Sequence, residues 1–307
     1  NPFITSGYIS ADYFCDREIE SKQLIREIVN GNNLAIISAR RMGKTGLIQH
    51  CFHSKELSKE YYTFFVDIYA TKSLRDFIFS LSKVILESLK PFGKKAVEIF
   101  INSVLSLQAG ISYDFTGTPS FNIQLGDIQN SMATLEEIFK YLAKADKPCI
   151  VAIDEFQQIA EYQEKGVEAL LRSYIQFLPN VNIIFAGSKQ HLMQEMFTSS
   201  KRPFYQSTQL LTIGPVDREA YACFAVGHFA KHGVQLPREV FDTIYDKFDG
   251  HTWYIQCILN RLYGYNRDVD TELVVYATEQ IVSEQSYSYA DLLKAYSAGH
   301  VLSLIHI

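Results

Sequence analysis

The chain has 307 residues, 47% of them hydrophobic and 21% charged, a globular composition with room for roughly two or three modules rather than one core. Its formal net charge of −5 argues against a broad electrostatic footprint for nucleic acid. No run of residues is long and apolar enough to span a bilayer, and no signal-peptide pattern opens the chain.

Five cysteines, Cys15, Cys51, Cys149, Cys223 and Cys257, are scattered, odd in number and never spaced C-x-x-C. That usage suits reduced thiols filling core space in a cytoplasmic protein. The chain opens at Asn1 without a methionine, so it is expected to be a fragment at that end.

In chain order, Asp16 to Glu20 leads into an amphipathic stretch with Ile19, Leu24, Ile25 and Ile28 at helical spacing. Gly31-Asn32-Asn33 closes it and hands over to an apolar run, Leu34-Ala35-Ile36-Ile37, that reads as a buried strand. Residues 38–45, Ser-Ala-Arg-Arg-Met-Gly-Lys-Thr, follow at once, and Leu47–Phe52 can continue as a helix. Tyr62–Ile68 is a second strand candidate, dense in aromatic and β-branched residues. Helical patterns cover residues 73–106 with an interruption at Pro91-Phe92-Gly93, and Gly110–Asp127 reads as a hairpin-like insertion around Thr116-Gly117-Thr118-Pro119. Ser131–Lys144 reads as a helix with a Thr134-x-x-Glu137 capping box.

Cys149–Ile153 is an apolar run ending in Asp154-Glu155. A helix over roughly Gly166–Phe177 precedes a further buried strand, Val181–Ser188, and a last short strand, Gln209–Ile213, ends at Gly214-Pro215. Strands alternating with helices, each too apolar to leave a face wet, predict a doubly wound parallel sheet covered on both sides. Beyond Pro215 the strand signal stops. Asp217–His232, Glu239–Phe248 and His251–Tyr263 read as helices of a separate module, and Asn266-Arg267-Asp268 as a hinge into a further helical stretch.

The chemistry gathers at two places. Strand, tight turn, Gly-Lys-Thr and helix is the context in which Ser38, Ala39, Arg40, Arg41, Met42, Gly43, Lys44, Thr45 and Gly46 read as a phosphate-binding loop. Backbone N–H groups at a helix N-terminus and the helix dipole favour an anion there. Lys44 would reach the β- and γ-phosphates of ATP, and Thr45 would ligate Mg²⁺. Ser38 stands where the G-x-x-x-x-G-K-[ST] pattern has its first glycine, which would cost stability if that position required φ > 0. Of Arg40 and Arg41, one is expected to contact phosphate and the other to tie the loop to a carboxylate.

The second place is Asp154-Glu155. An acidic residue at such a strand end holds Mg²⁺, and a neighbouring carboxylate can orient or deprotonate the attacking water; the plain alternative is a solvated strand end. Ser188, at the next strand's end, reads either as a γ-phosphate sensor or as the N-cap of a helix over Gln190–Phe197. Arg202 reads either as an arginine stabilising transferring phosphoryl charge or as a surface residue. His228-x-x-x-His232 and His50-x-x-His53 lack a third ligand and a general-base glutamate. The phenylalanines and tyrosines, spread through the elements, read as core.

With these residues in hand, the chain resembles the prokaryotic ATPases of the archaeal-type AAA-like group, relatives of the STAND signalling NTPases and of the origin-recognition ATPases. Phe14, Arg17 and Glu20, followed by Leu24, are similar to the group's N-terminal signature near the adenine. Ser38–Thr45 is similar to its arginine-rich P-loop, in which the first glycine is often replaced, and Asp154-Glu155-Phe156-Gln157 to its Walker B strand end. Arg202-Pro203-Phe204-Tyr205 lies where relatives carry a tyrosine-glycine-arginine stretch, but Gln206 and Ser207 occupy the glycine and arginine places. Gly214-Pro215 resembles the turn that touches the base, and Gly250-His251-Thr252-Trp253 the lid's glycine-centred turn, with Thr252 where proline is common.

The resemblance implies a P-loop ATPase domain over residues 1–214, a helical lid over 215–265 with nucleotide clamped between them, and the start of a truncated winged helix over 266–301. Leu302–Ile307 reads as the translation of a transposase sequencing adapter, so the native protein is expected to continue past about Val301. The function implied is a slow Mg²⁺-dependent ATPase acting as a nucleotide-controlled switch on a protein partner or a second copy of itself. The alternatives are a nucleotide-sensing, defence-type signalling scaffold with little turnover, and a DNA-associated loader that the acidic balance disfavours.

Overall fold

A computed structural model describes residues 1–106, 110–113, 119–122, 128 and 130–286. The chain divides into two compact units, one of residues Arg17–Gly214 and one that joins Asn1–Asp16 to the chain from Pro215 onward.

The Arg17–Gly214 unit carries strands β1 (Leu34–Ser38), β2 (Tyr62–Asp67), β3 (Gly110–Tyr113), β4 (Pro119–Asn122), β5 (Cys149–Asp154), β6 (Val181–Gly187) and β7 (Gln209–Ile213). Its helices are α1 (Glu18–Val29), α2 (Lys44–Phe52), α3 (Lys55–Glu60), α4 (Leu74–Leu89), α5 (Lys94–Ser103), α6 (Ser131–Ala143), α7 (Val167–Ile175) and α8 (Gln190–Thr198). Five strands form one parallel sheet in the order β2-β5-β6-β1-β7, while β3 and β4 pair antiparallel as a separate ribbon.

Every residue of β1, β5 and β6 is buried, which is why their sequences are unbroken apolar runs rather than alternating ones. The edge strand β7 leaves Gln209, Leu210 and Thr212 exposed. Register aligns Asp67 with Asp154 and Ile37 with Gly187, so the carboxyl ends of the central strands finish at one level. The winding reverses at β1, which lies between β6 and β7. The carboxyl-end crevice at such a switch point is where open α/β sheets place ligands.

Helix ends follow local chemistry. Ser54, Ser73 and Asn130 accept hydrogen bonds from the backbone N–H groups of Leu57, Asp76 and Ala133 at the starts of α3, α4 and α6. The capping box expected at Thr134 is therefore absent: Asn130 is the cap, and the Thr134 hydroxyl instead donates to the Asn130 carbonyl at 2.8 Å. Leu24 and Ile28 of α1 are buried, but Ile19 is 79% exposed, because a separation of five positions turns it about 140° around the helix from Leu24. On α4, Phe77, Ile78, Leu81 and Ile85 are fully buried at helical spacing. Truncating Leu81 to alanine there would cost about 2–5 kcal/mol.

The other unit is helical: α9 (Arg218–Lys231), α10 (Arg238–Lys247), α11 (Thr252–Gly264) and α12 (Thr271–Glu284). Fully buried Phe3 packs against Phe229 and Tyr263 with ring centroids 5.4 and 5.6 Å away. Its backbone carbonyl accepts from Asn260 at 2.6 Å, and Trp253 donates its indole N–H to the Thr5 carbonyl at 3.1 Å. The first residues thus fold with the helices, whereas the sequence assigns them to the sheet domain.

Helix α12 belongs to the same core through Leu273, Val274 and Ala277, and Arg261 pairs with Glu284 at 2.6 Å. The expected hinge at residues 266–268 is tied down: Gln235 donates its N–H to the Asp268 carboxylate at 2.8 Å, and Val269 donates to the Gln235 carbonyl at 2.9 Å. Residues 266–284 therefore continue the helical unit. The expected winged-helix residues from 287 on, and the tail 302–307, lie outside the described residues.

Candidate functional site

Strand β1 delivers its last buried residue, Ser38, to the turn that opens α2 at Lys44. Left-handed backbone falls on Arg41 (φ 64°) and Gly43 (φ 95°) and not on Ser38. The missing first glycine therefore brings no backbone strain, and the Ser38 hydroxyl donates to the Ala39 carbonyl at 3.0 Å. Gly43, at the N-cap of α2, carries the conformation that L side chains rarely adopt.

Although 109 positions apart, the two motifs meet: the Thr45 hydroxyl donates to Asp154 Oδ2 at 2.6 Å. Lys44 Nζ lies 4.0 Å from Asp154 Oδ1 and 3.8 Å from Glu155 Oε1, neither within hydrogen-bond length. Lys44 and Asp154 are each only 5% exposed, so a charge-bearing triad sits under the loop at low local dielectric. Asp154 in turn accepts the Glu155 N–H at 2.9 Å.

Glu155 itself is left-handed, at φ 56°. The following Phe156 locks that turn. It packs with Phe185, Phe197 and Phe204 in a buried cluster whose ring centroids are 4.5–5.9 Å apart. Glu155 Oε2 accepts from the Ser188 hydroxyl at 2.6 Å and from the Gln157 amide at 2.5 Å. Burial pushes the Glu155 carboxyl up, but these two hydrogen bonds, with the Lys44 and Arg40 charges, outweigh it and hold the group below its ordinary range. Asp67, one strand over, goes the other way: it stands exposed at the end of β2, but the packed surroundings on its protein side desolvate it and raise it, and the neighbouring Asp154 and Glu155 charges add to the effect.

Ser188 therefore faces Glu155. The N-cap of α8 is Lys189, without a side-chain cap bond, so the capping alternative for Ser188 is not realised. Arg40 lies 5.6 Å from the Tyr69 ring centroid. Both line a cleft of about 540 Å³ that also includes Glu155, Gln157, Ser188 and Lys189.

Arg202 is held elsewhere. Its guanidinium lies 2.9 Å from Glu168 on α7 and 3.0 Å from Glu195 on α8. Arg17 is buried and donates to Glu20, to the Met42 carbonyl at 3.2 Å and to the Gly214 carbonyl at 2.6 Å. Phe14, Pro215 and His251 belong to the helical unit. There Gly250 (φ 67°) is required by crowding, since a Cβ would approach the Tyr245 hydroxyl and Pro215 Cβ at 2.7 and 2.8 Å.

Gln157 and Asp67 were not identified as site residues from sequence. Gln157 falls in the Asp154–Gln157 stretch that resembles a Walker B strand end but is given no role there, and only the folded turn aims it back at Glu155. Asp67, the last residue of a strand with no motif around it, becomes a neighbour of Asp154 through sheet register alone.

The parallel five-stranded sheet, the Gly-Lys-Thr turn after β1 at the switch point and the Asp-Glu pair at the end of β5, with β6 between them, define a P-loop NTPase of the α/β class. Within that class the chain belongs to a family of ATPase domains predominantly from Archaea, which matches residues 14–258. Solved structures show the same fold. The Walker-type ATPase PABY2304 of Pyrococcus abyssi is 19% identical with a TM-score of 0.65, the alignment covering 96% of this chain and 80% of that one. The ORC2 protein of Aeropyrum pernix, in ADPNP–ADP complexes, is 16% identical with a TM-score of 0.62, covering 91% and 70%. The ORC1 protein of Aeropyrum pernix in complex with DNA is 13% identical at 0.56, covering 96% and 72%. Comparison with curated protein sequences yields no match.

Proposed function

We propose that this ATPase domain binds MgATP on the Ser38–Gly46 loop, hydrolyses it slowly, and uses its nucleotide state to control association with a protein partner or a second copy of itself. The observation that carries the reading is the 2.6 Å contact from Thr45 to Asp154 with Lys44 beside both. A hydroxyl and a carboxylate are hard oxygen donors and fit Mg²⁺. The glycine-turned helix start suits a polyphosphate, and the ADPNP and ADP complexes of the Aeropyrum ORC2 protein support nucleotide as the ligand.

Thr45 and Asp154 would hold the cation, which when bound offsets charge on the phosphate oxygens. Lys44 contacts the β- and γ-phosphates with its charge, and the loop amides orient them. Glu155 accepts a proton from the water that attacks in line, while Ser188 and Gln157 fix its carboxylate. A carboxylate stabilised by two hydrogen bonds and held below its ordinary range is a weak base, which supports slow turnover. Phe14 and Pro215 are expected near the base, and His251 in the lid's glycine-centred turn as a nucleotide-binding residue, by sequence resemblance alone. Arg202, tied to Glu168 and Glu195, is assigned to holding α7 and α8 together. The net charge of −5 favours a protein partner over nucleic acid.

Single-turnover hydrolysis of MgATP tests the proposal. Wild type should convert bound ATP to ADP, and Glu155→Gln should bind ATP equally well without converting it. Equal rates in the two would remove Glu155 from the role of base. Absence of any ATP binding by wild type would remove the whole reading.

A further inference from the structure

Sequence resemblance places Arg17 at the nucleotide, but the structure turns its guanidinium toward protein. Arg17 is 4% exposed, and a buried guanidinium keeps its charge, so it must be met by acceptors. It donates to Glu20 Oε1 at 2.8 Å, to the Met42 carbonyl at 3.2 Å and to the Gly214 carbonyl at 2.6 Å. One cation thus joins the start of α1, the middle of the phosphate loop and the residue at which the chain leaves the sheet unit.

The bond to Met42 has a consequence for the anion site. A trans peptide is planar, so its C=O and N–H point in opposite directions. Holding the Met42 carbonyl on Arg17 therefore sends the Gly43 N–H the other way. Gly43 sits at φ 95°, and a peptide followed by glycine rotates with little steric penalty. Without a tether this amide has no fixed direction. Asp16 (φ 55°) and Arg17 (φ 65°) are consecutive left-handed residues, a conformation that persists only where surrounding contacts hold it. The bonds of Arg17 to Glu20, Met42 and Gly214 supply such contacts.

We propose that Arg17 is a positioning residue for the phosphate loop: it fixes the Met42–Gly43 peptide so that the Gly43 amide is presented to the anion, and it ties that peptide to the Gly214 exit point. The inference rests on the nucleotide reading above. Its test separates the two by following the loop without nucleotide as well as with it.

The experiment uses the full chain, with Arg17→Met, Arg17→Lys and Lys44→Ala beside wild type. Hydrogen–deuterium exchange of residues 38–46 is measured without nucleotide, and MgATP binding by titration. Arg17→Met should speed exchange in that segment and weaken MgATP about tenfold, the worth of one charge-assisted hydrogen bond. The loss should fall on affinity more than on the single-turnover rate at saturation. Arg17→Lys, which can bridge some acceptors but lacks the planar fork, should fall between.

Lys44→Ala should weaken MgATP by about 100-fold, and, because it keeps the Arg17 tether, its nucleotide-free exchange should stay slower than that of Arg17→Met. A folded Arg17→Met with wild-type exchange and affinity would overturn the proposal. If that variant does not fold, wild-type behaviour of Arg17→Lys would do so. If wild type itself fails to bind MgATP, the nucleotide reading falls, and the exchange data still judge the tether.

Discussion

Two cation–carboxylate clusters in the sheet unit use the same kinds of residue to opposite ends. At Arg202 the guanidinium is closed on both sides, 2.9 Å from Glu168 and 3.0 Å from Glu195. At Lys44 the nearest carboxylate oxygens stand at 3.8 and 4.0 Å although the side chain is buried. The first is a close ion pair with one hydrogen bond, from Arg202 Nη1 to Glu168 Oε1, whose value lies in joining α7 and α8. The second holds an ammonium near two carboxylates without a hydrogen bond to either, while Thr45, Ser188 and Gln157 engage the carboxylates instead, an arrangement that leaves the ammonium open to an incoming anion. Charged residue types alone do not distinguish a brace from a reaction site, whereas contact lengths do.

The largest expected effect tests the open cluster. Glu155→Gln should lower single-turnover hydrolysis about 10²–10⁴-fold, the usual contribution of a general base, with ATP affinity retained. Lys44→Ala should weaken ATP by about 100-fold, since it removes a charge-assisted contact to phosphate, as an equilibrium titration would show. Ser188→Ala removes one of two donors to Glu155 and should change turnover by only about fivefold. Because Glu155 is held below its ordinary range, it stays ionised across neutral pH and wild-type turnover should show no acid limb above about pH 5. In Ser188→Ala any such limb moves upward, readable in a pH–rate profile.

Arg202→Ala should leave saturating turnover near wild type and lower stability by about 1–3 kcal/mol, because the half-buried Glu168 loses its partner. A large catalytic defect without loss of stability would move Arg202 into the site and erase the contrast between the clusters. The smallest effect concerns Asp67. Its folded-state pKa is raised, so the stability it contributes is fully present below the unfolded value near 4 and is lost as pH rises from there through the folded value. Asp67 stands exposed at the strand end, where water screens the effect, so Asp67→Asn should raise the melting temperature at pH 8 by at most about 1 °C, and the gain should vanish near pH 4.

Much of this was legible in the chain because local signals coincided. The apolar runs of β1, β5 and β6 identify buried parallel strands, since a sheet covered on both faces needs apolar side chains on both. The Gly-Lys-Thr turn after β1 and the Asp-Glu pair after β5 carry their chemistry in adjacent residues. Ile19 and Thr134 misled the reading for the same kind of reason: spacing and cap patterns are local, and the burial of the facing surface and the better cap at Asn130 are not. Phe3 gives no local hint that it folds with helices more than two hundred positions away.

By itself, the sequence determined the class of the sheet, the phosphate loop and the acidic strand end, because each is specified by contiguous residues. How the charges pair is a property of the fold. It brought Thr45 onto Asp154, turned Ser188 and Gln157 toward Glu155, closed Arg202 on Glu168, and pointed Arg17 at the backbone of the loop. These outcomes depend on register and on which buried donor finds which acceptor. That is a long-range question of desolvation and geometry, one that no spacing along the chain encodes.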